Sequence, residues 1–166
     1  MHKARIAAGL GAAAALLLGG SPAHAVTWDS GIHAWQNDYT GKCLSGSGRT
    51  VAQETCGLPV SGGARSTDWT YSDIANAEKD SVLVRNKLTG LCLDTNGTDV
   101  YLSGCTTADP GQHWGFNDCE RVLGSHLTSR MLTGWKTGGV SMANPADVDD
   151  DAKSAWHRLG KEGCGG

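Results

Sequence analysis

One phrase occurs three times in this chain. Asn37-Asp38-Tyr39-Thr40-Gly41-Lys42-Cys43-Leu44 returns as Asn86-Lys87-Leu88-Thr89-Gly90-Leu91-Cys92-Leu93. It returns again, worn, as Ser125-His126-Leu127-Thr128-Ser129-Arg130-Met131-Leu132. A tryptophan follows each copy: Trp69, Trp114 and Trp156, spaced by 45 and 42 residues. A repeat of this length means stacked or symmetric copies of one supersecondary unit. No segment carries a helical apolar period. Short alternating runs at Ile32–Gln36, Ser81–Arg85, Val100–Ser103 and Trp114–Phe116 read as half-buried strands. Thr-Gly, Asn-Gly and Gly-Gly steps between them read as turns. Each unit is then four strands, and three units give twelve. One unit cannot bury its own apolar face. Three together close a barrel and cap it, leaving no exposed edges. The recurring tryptophans belong in the core, and Trp35 aligns with Val84 and Leu123 as a fourth core place.

The first 25 residues stand outside this pattern. His2, Lys3 and Arg5 precede an alanine-rich apolar stretch, Ile6 to Leu18, and then Ala23-His24-Ala25. That is the three-part arrangement of a secretory signal peptide. Its removal from the 166 residues leaves a single domain over 26–166, of 141 residues. No later apolar run is long enough to span a bilayer as a helix. The leader holds two of the 14 basic residues, so 12 face 17 acidic ones, a formal charge of −5. A phosphate backbone asks for the opposite sign. The expected product is a secreted monomer that binds neither nucleic acid nor membrane.

All six cysteines lie in the exported part, where an even count reads as disulfides. Cys43 to Cys56 and Cys92 to Cys105 each span 13 positions, at matching places in units one and two. The repeat therefore selects Cys43–Cys56 and Cys92–Cys105, and leaves Cys119 with Cys164. No C-x-x-C pair suggests zinc. No histidine spacing, nucleophile elbow or phosphate loop suggests a cofactor or catalysis. The run Asp147, Asp149, Asp150, Asp151 lacks the glycine and distal Glu of an EF-hand loop and reads as a solvated loop. Asn96-Gly97-Thr98 is a sequon wherever the host glycosylates such sites.

Thr89-Gly90-Leu91-Cys92-Leu93-Asp94, then Val100-Tyr101-Leu102-Ser103-Gly104-Cys105, then Gln112-His113-Trp114, resembles the ricin B-type lectin repeat with its Q-x-W motif. The resemblance runs from about Ile32 onward. It implies an all-β fold, the β-trefoil, with pseudo-threefold symmetry. It implies non-catalytic carbohydrate binding, with an extracellular glycan as partner. In such repeats an Asp after the Cys-Leu strand takes sugar hydroxyls. An aromatic two places before the second cysteine stacks on the ring, and an Asn beside the Q-x-W glutamine adds a bond. Unit two keeps Asp94 and Gln112 but has Ser103 and Gly111 at the other two places. Unit one has Ser45, Glu54, Thr67 and Ser66, and unit three has Thr133, Ala143, Ser154 and Lys153. The expected site is thus Asp94 as an exposed acceptor, Gln112 as orienter and Tyr101 as a displaced platform. Tyr101 lies two residues before Ser103 and so shares its side of a strand. Trp135, close after Thr133, adjoins the third pocket or is buried. The competing expectation is a trefoil without sugar binding that presents loops to a protein, for instance as a protease inhibitor.

Overall fold

The computed structural model describes residues 31–57, 63–74, 81–117 and 122–159. The expected signal peptide, Trp28, Cys119 and Cys164 lie outside the described residues. Unit one comprises β1 (Trp35–Asn37), β2 (Cys43–Ser47), β3 (Thr50–Glu54) and β4 (Trp69–Asp73). Unit two comprises β5 (Ser81–Asn86), β6 (Cys92–Thr95), β7 (Val100–Ser103) and β8 (Trp114–Asn117). Unit three comprises β9 (Val122–Ser125), β10 (Met131–Gly134), β11 (Val140–Ala143) and β12 (Trp156–Arg158). The twelve strands are those the repeat predicts. The first is shorter than expected: Ile32 is outside it and His33 makes a single bridge to Trp69.

Outer strands pair across unit boundaries, β1 with β12, β4 with β5 and β8 with β9, all antiparallel. Inner strands form one hairpin per unit, β2–β3, β6–β7 and β10–β11. The hairpins meet in a ring of three equivalent backbone bonds: Gln53 N to Gly138 O (2.9 Å), Leu102 N to Arg49 O (2.9 Å) and Met142 N to Thr98 O (2.9 Å). A further threefold set joins each unit to the one before it. Asp38 N donates to Ala155 O (3.0 Å), Lys87 N to Asp68 O (2.8 Å) and His126 N to His113 O (2.8 Å).

The core repeats as well. Trp69, Trp114 and Trp156 are fully buried, and each indole Nε1 donates to the Leu of its own Cys-Leu strand or its equivalent. The acceptors are Leu44 O (3.0 Å), Leu93 O (2.9 Å) and Leu132 O (2.8 Å). A tryptophan brings roughly 150–250 Å² to the core, about 4–6 kcal/mol at about 25 cal/mol/Å² as an upper bound. The indole bond removes the cost of burying its N–H. Trp35 is buried and stacks near Trp69, with ring centroids 6.4 Å apart.

The Asn-x-x-Thr-Gly phrase is a turn with its own clamp. Asn37 Oδ1 accepts from Thr40 N (3.1 Å), and Asn86 Oδ1 accepts from Thr89 N (3.0 Å). Gly41 (φ 66°) and Gly90 (φ 71°) hold the left-handed position that the turn requires. The same asparagines reach the neighbouring unit through Nδ2, to Lys153 O (2.9 Å) and to Ser66 O (2.6 Å). Opposite each asparagine stands a glycine. A Cβ on Gly134 would lie 2.8 Å from Asn37 Cγ, and one on Gly46 3.0 Å from Asn86 Cγ. Where unit three replaces Asn by the smaller Ser125, the corresponding place in unit two is Thr95.

Both disulfides within the described residues are the expected ones, Cys43–Cys56 and Cys92–Cys105. The expected Cys119–Cys164 pair lies outside the described residues.

Candidate functional site

Unit two brings its three expected residues to one corner. Asp94 and Tyr101 are cross-strand partners on β6 and β7, and Gln112 ends a 3-10 turn, Pro110–Gln112, directly before β8. Their polar atoms form a chain. Ser103 Oγ donates to Asp94 Oδ2 (2.5 Å), and Gln112 Nε2 donates to Ser103 Oγ (2.6 Å) and Gly104 O (2.8 Å). Gln112 Oε1 accepts from Thr106 N (3.0 Å). The amide is therefore occupied in holding the segment after β7. Asp94 is 2% exposed and Gln112 1%. The expectation that Asp94 stands as an exposed acceptor is corrected here, because the backbone of Gly111 closes over it. A Cβ at Gly111 would lie 2.5 Å from Asp94 Oδ1 and 2.4 Å from Thr95 O. An Asn at that place, as the lectin pattern has it, does not fit. Asp94 Oδ1 has no hydrogen-bond partner among the described residues.

Tyr101 is half-buried on the same side as Asp94. Its phenol is pushed above the ordinary tyrosine value, first by burial and then by the carboxylates of Asp94, Asp109 and Asp99. Two of them, Asp99 and Asp109, reach solvent more than Asp94 does.

The corresponding places of units one and three carry different bonds. In unit one Ser66 Oγ donates to Glu54 Oε2 (2.5 Å). In unit three the hydroxyls of Thr133 and Ser154 lie 3.3 Å apart, both buried. Trp135, however, is half-buried rather than enclosed, and its indole Nε1 donates to Ser141 Oγ (2.9 Å). Lys153, at the Asn place of unit three, lays its ammonium over the Tyr39 ring (4.9 Å) and the Trp135 ring (5.4 Å). It also pairs with Asp149. Sequence reasoning does not bring Tyr39, Asp149 or Gln53 to a site. Gln53 carries a readable signal, since a polar residue stands where units two and three have the core residues Leu102 and Met142.

The acidic run is exposed at all four aspartates. Asp150 Oδ1 caps another short turn by accepting from Ala152 N (3.0 Å). Among the described residues no cluster of His, Cys, Asp or Glu has the geometry to hold a metal ion.

The sequence matches no family model and no curated protein. Its shape has many matches among solved structures. SeviL bound to asialo-GM1 saccharide is 12% identical, with a TM-score of 0.58 over 78% of this chain and 96% of that one. A non-toxic homologue of type II RIPs from Momordica charantia (bitter gourd), in complex with α-methyl-D-galactoside, is also 12% identical. Its TM-score is 0.58 over 77% of this chain and 47% of that one. The chain is a β-trefoil. A GlcNAcα1-4Gal-releasing endo-β-galactosidase from Clostridium perfringens, 15% identical, matches at a TM-score of 0.59 over 79% of this chain. This trefoil spans only 33% of that enzyme.

Proposed function

We propose that this trefoil is a secreted, monomeric, non-catalytic module of the ricin B-lectin type that binds extracellular glycan weakly, through unit two. One observation carries the reading: half-buried Tyr101 is the cross-strand partner of Asp94, whose carboxylate is fixed through Ser103 and Gln112. A neutral polyol needs a flat apolar surface edged by fixed acceptors, and that corner supplies both. Tyr101 is the platform, and Asp99 and Asp109 are the outer acceptors. Asp94 and Gln112 act through Ser103 as positioning residues that fix the floor. The saccharides in the SeviL and bitter gourd structures support this ligand class for the fold.

Titration calorimetry against galactosides and polysaccharide fragments tests the proposal. Tyr101→Ala should abolish unit-two binding with little loss of thermal stability. Asp94→Ala should weaken binding and also destabilise by about 1–3 kcal/mol, because a buried hydroxyl loses its partner. Ser45→Ala and Thr133→Ala should leave unit-two binding intact. Binding that survives Tyr101→Ala unchanged would place the sugar elsewhere.

An alternative reading has its own support. Leu88 and Leu127 occupy the same turn place in units two and three and are 52% and 40% exposed. Apolar loop residues of this kind suit a protein partner. Failure of every glycan at millimolar concentration would favour that reading.

A further inference from the structure

We propose that the cleft where β8, β9 and β10 run side by side, floored by Gly115 and Gly124 and edged by His126, Arg130 and Met131, binds a small aromatic carboxylate. It does not rest on the glycan-binding reading.

The threefold arrangement explains why a cleft opens here. In each unit one residue of the first strand pairs both with the second strand and with the last strand of the neighbouring unit. Gln36 pairs with Cys43 and His157, and Arg85 with Cys92 and Thr70. Gly124 pairs with Met131 and Gly115. In units one and two the place is filled. Gln36 Nε2 donates to Gly41 O (2.7 Å), and Arg85 Nε donates to Gly90 O (3.2 Å). The disulfides crowd the same carbonyls, with Cys56 Sγ and Cys105 Sγ each 3.7 Å away. In unit three Gly124 has no side chain to reach Ser129, which stands at the Gly41 and Gly90 place. Met131 and Pro145 take the two cysteine places. The result is a cavity of about 220 Å³. That is below the roughly 300–1,000 Å³ of a drug-sized pocket, so it suits about one ring with a short polar group.

The lining selects the ligand. It holds one arginine, one histidine and no Asp or Glu, in a chain with 17 acidic residues against 14 basic ones. Arg130 is anchored, because its Nη1 donates to Gly97 O (2.8 Å) and Thr98 Oγ1 (3.1 Å) on the β6–β7 turn. A guanidinium has five N–H donors, and those bonds use only Nη1. The remaining edge matches a carboxylate. The His126 ring lies over Gly115, since a Cβ there would be 3.0 Å from Nε2. An imidazole N–H supplies a second donor. The two glycines leave a floor of bare backbone on which a flat ring can lie. Met131 adds a thioether, which makes favourable contacts with aromatic rings. Negative charge and a flat apolar body are thus selected together.

Methyl NMR tests the site. Of the three methionines, Met1 lies in the expected signal peptide and Met142 is buried in the core. Phenylacetate at roughly ten millimolar should shift the Met131 methyl signal and leave that of Met142 still. Phenylacetamide, alike in shape but uncharged, should bind roughly tenfold more weakly, as loss of a charge-assisted pair implies. Arg130→Gln should weaken phenylacetate by a similar factor. Gly124→Gln gives unit three the side chain of unit one. Its Cβ would meet only Arg130 O, at 3.9 Å, so the backbone has room for it. That variant should keep the Met142 signal and the melting profile and lose the phenylacetate shift. A Met131 methyl that phenylacetate does not move overturns the proposal. So does phenylacetamide binding as tightly as the acid, a comparison that needs no variant to fold. A galactoside that shifts Met131 as strongly, or a folded Gly124→Gln protein that binds like the parent, overturns it too.

Discussion

Trp114 has two jobs, volume and one hydrogen bond, and they separate by mutation. Trp114→Ala should cost about 3–5 kcal/mol in urea melts, as for a buried large aromatic. Trp114→Phe should cost less but still strand the carbonyl of Leu93, at about 1–3 kcal/mol for an unpaired buried group. Trp69 and Trp156 should follow the same order, since their indoles make the same bond. Changes under about 1 kcal/mol at all three would mark them as surface residues. These tryptophans are legible in the sequence because packing repeats with the chain. For the polar residues of the unit-two corner, exposure is not legible in the sequence. Whether Asp94 faces water depends on Gly111, and a missing side chain does not reveal in sequence that the backbone has moved into its place. Trp135 is readable as a neighbour of the third pocket. Its partners Tyr39 and Lys153 lie far apart in the sequence, and no local spacing brings them together.

At the scale of elements, the turn after each first strand holds the units together. Asn86 is buried and serves both Thr89 and the carbonyl of Ser66 in unit one. Asn86→Ala should destabilise by about 1–3 kcal/mol, because Thr89 loses its acceptor and the Ser66 carbonyl one of two donors, the other being Gly46 N. Ser125→Ala, at the equivalent turn, should cost less, since Ser125 Oγ accepts only from Leu127 N (3.2 Å) among its described bonds. Equal losses at the two positions in denaturant melts would contradict the clamp. Strand places follow from alternation and from the repeat, and Val100–Ser103 falls where expected. The three 3-10 turns leave no periodic trace, because three residues are too few for one. Two of them do carry a local sign: Asp109-Pro110 and Asn144-Pro145 set a capping side chain before a proline at the first helical place.

For the whole molecule, the threefold arrangement is readable because one phrase and one tryptophan recur at nearly constant distance. The closure of the third unit is not. Its two cysteine places hold Met131 and Pro145, so no bridge crosses that hairpin. If Cys119 and Cys164 pair as the repeat implies, non-reducing peptide mapping should find that bridge beside Cys43–Cys56 and Cys92–Cys105. A cross-unit bridge such as Cys56–Cys92 is already inconsistent with the two pairs present in the fold.

The facing pairs Gly134/Asn37 and Gly46/Asn86, with Thr95 and Ser125 at the corresponding places in the sequence, give the three units keys that do not interchange. A designer who triplicates unit two would set a threonine against an asparagine at every boundary and overfill all three. One who triplicates unit one would meet glycine with asparagine throughout and keep the fit. Ancestry by duplication from a single motif is therefore easier to rebuild from unit one than from unit two, even though unit two carries the stronger likeness to lectin repeats.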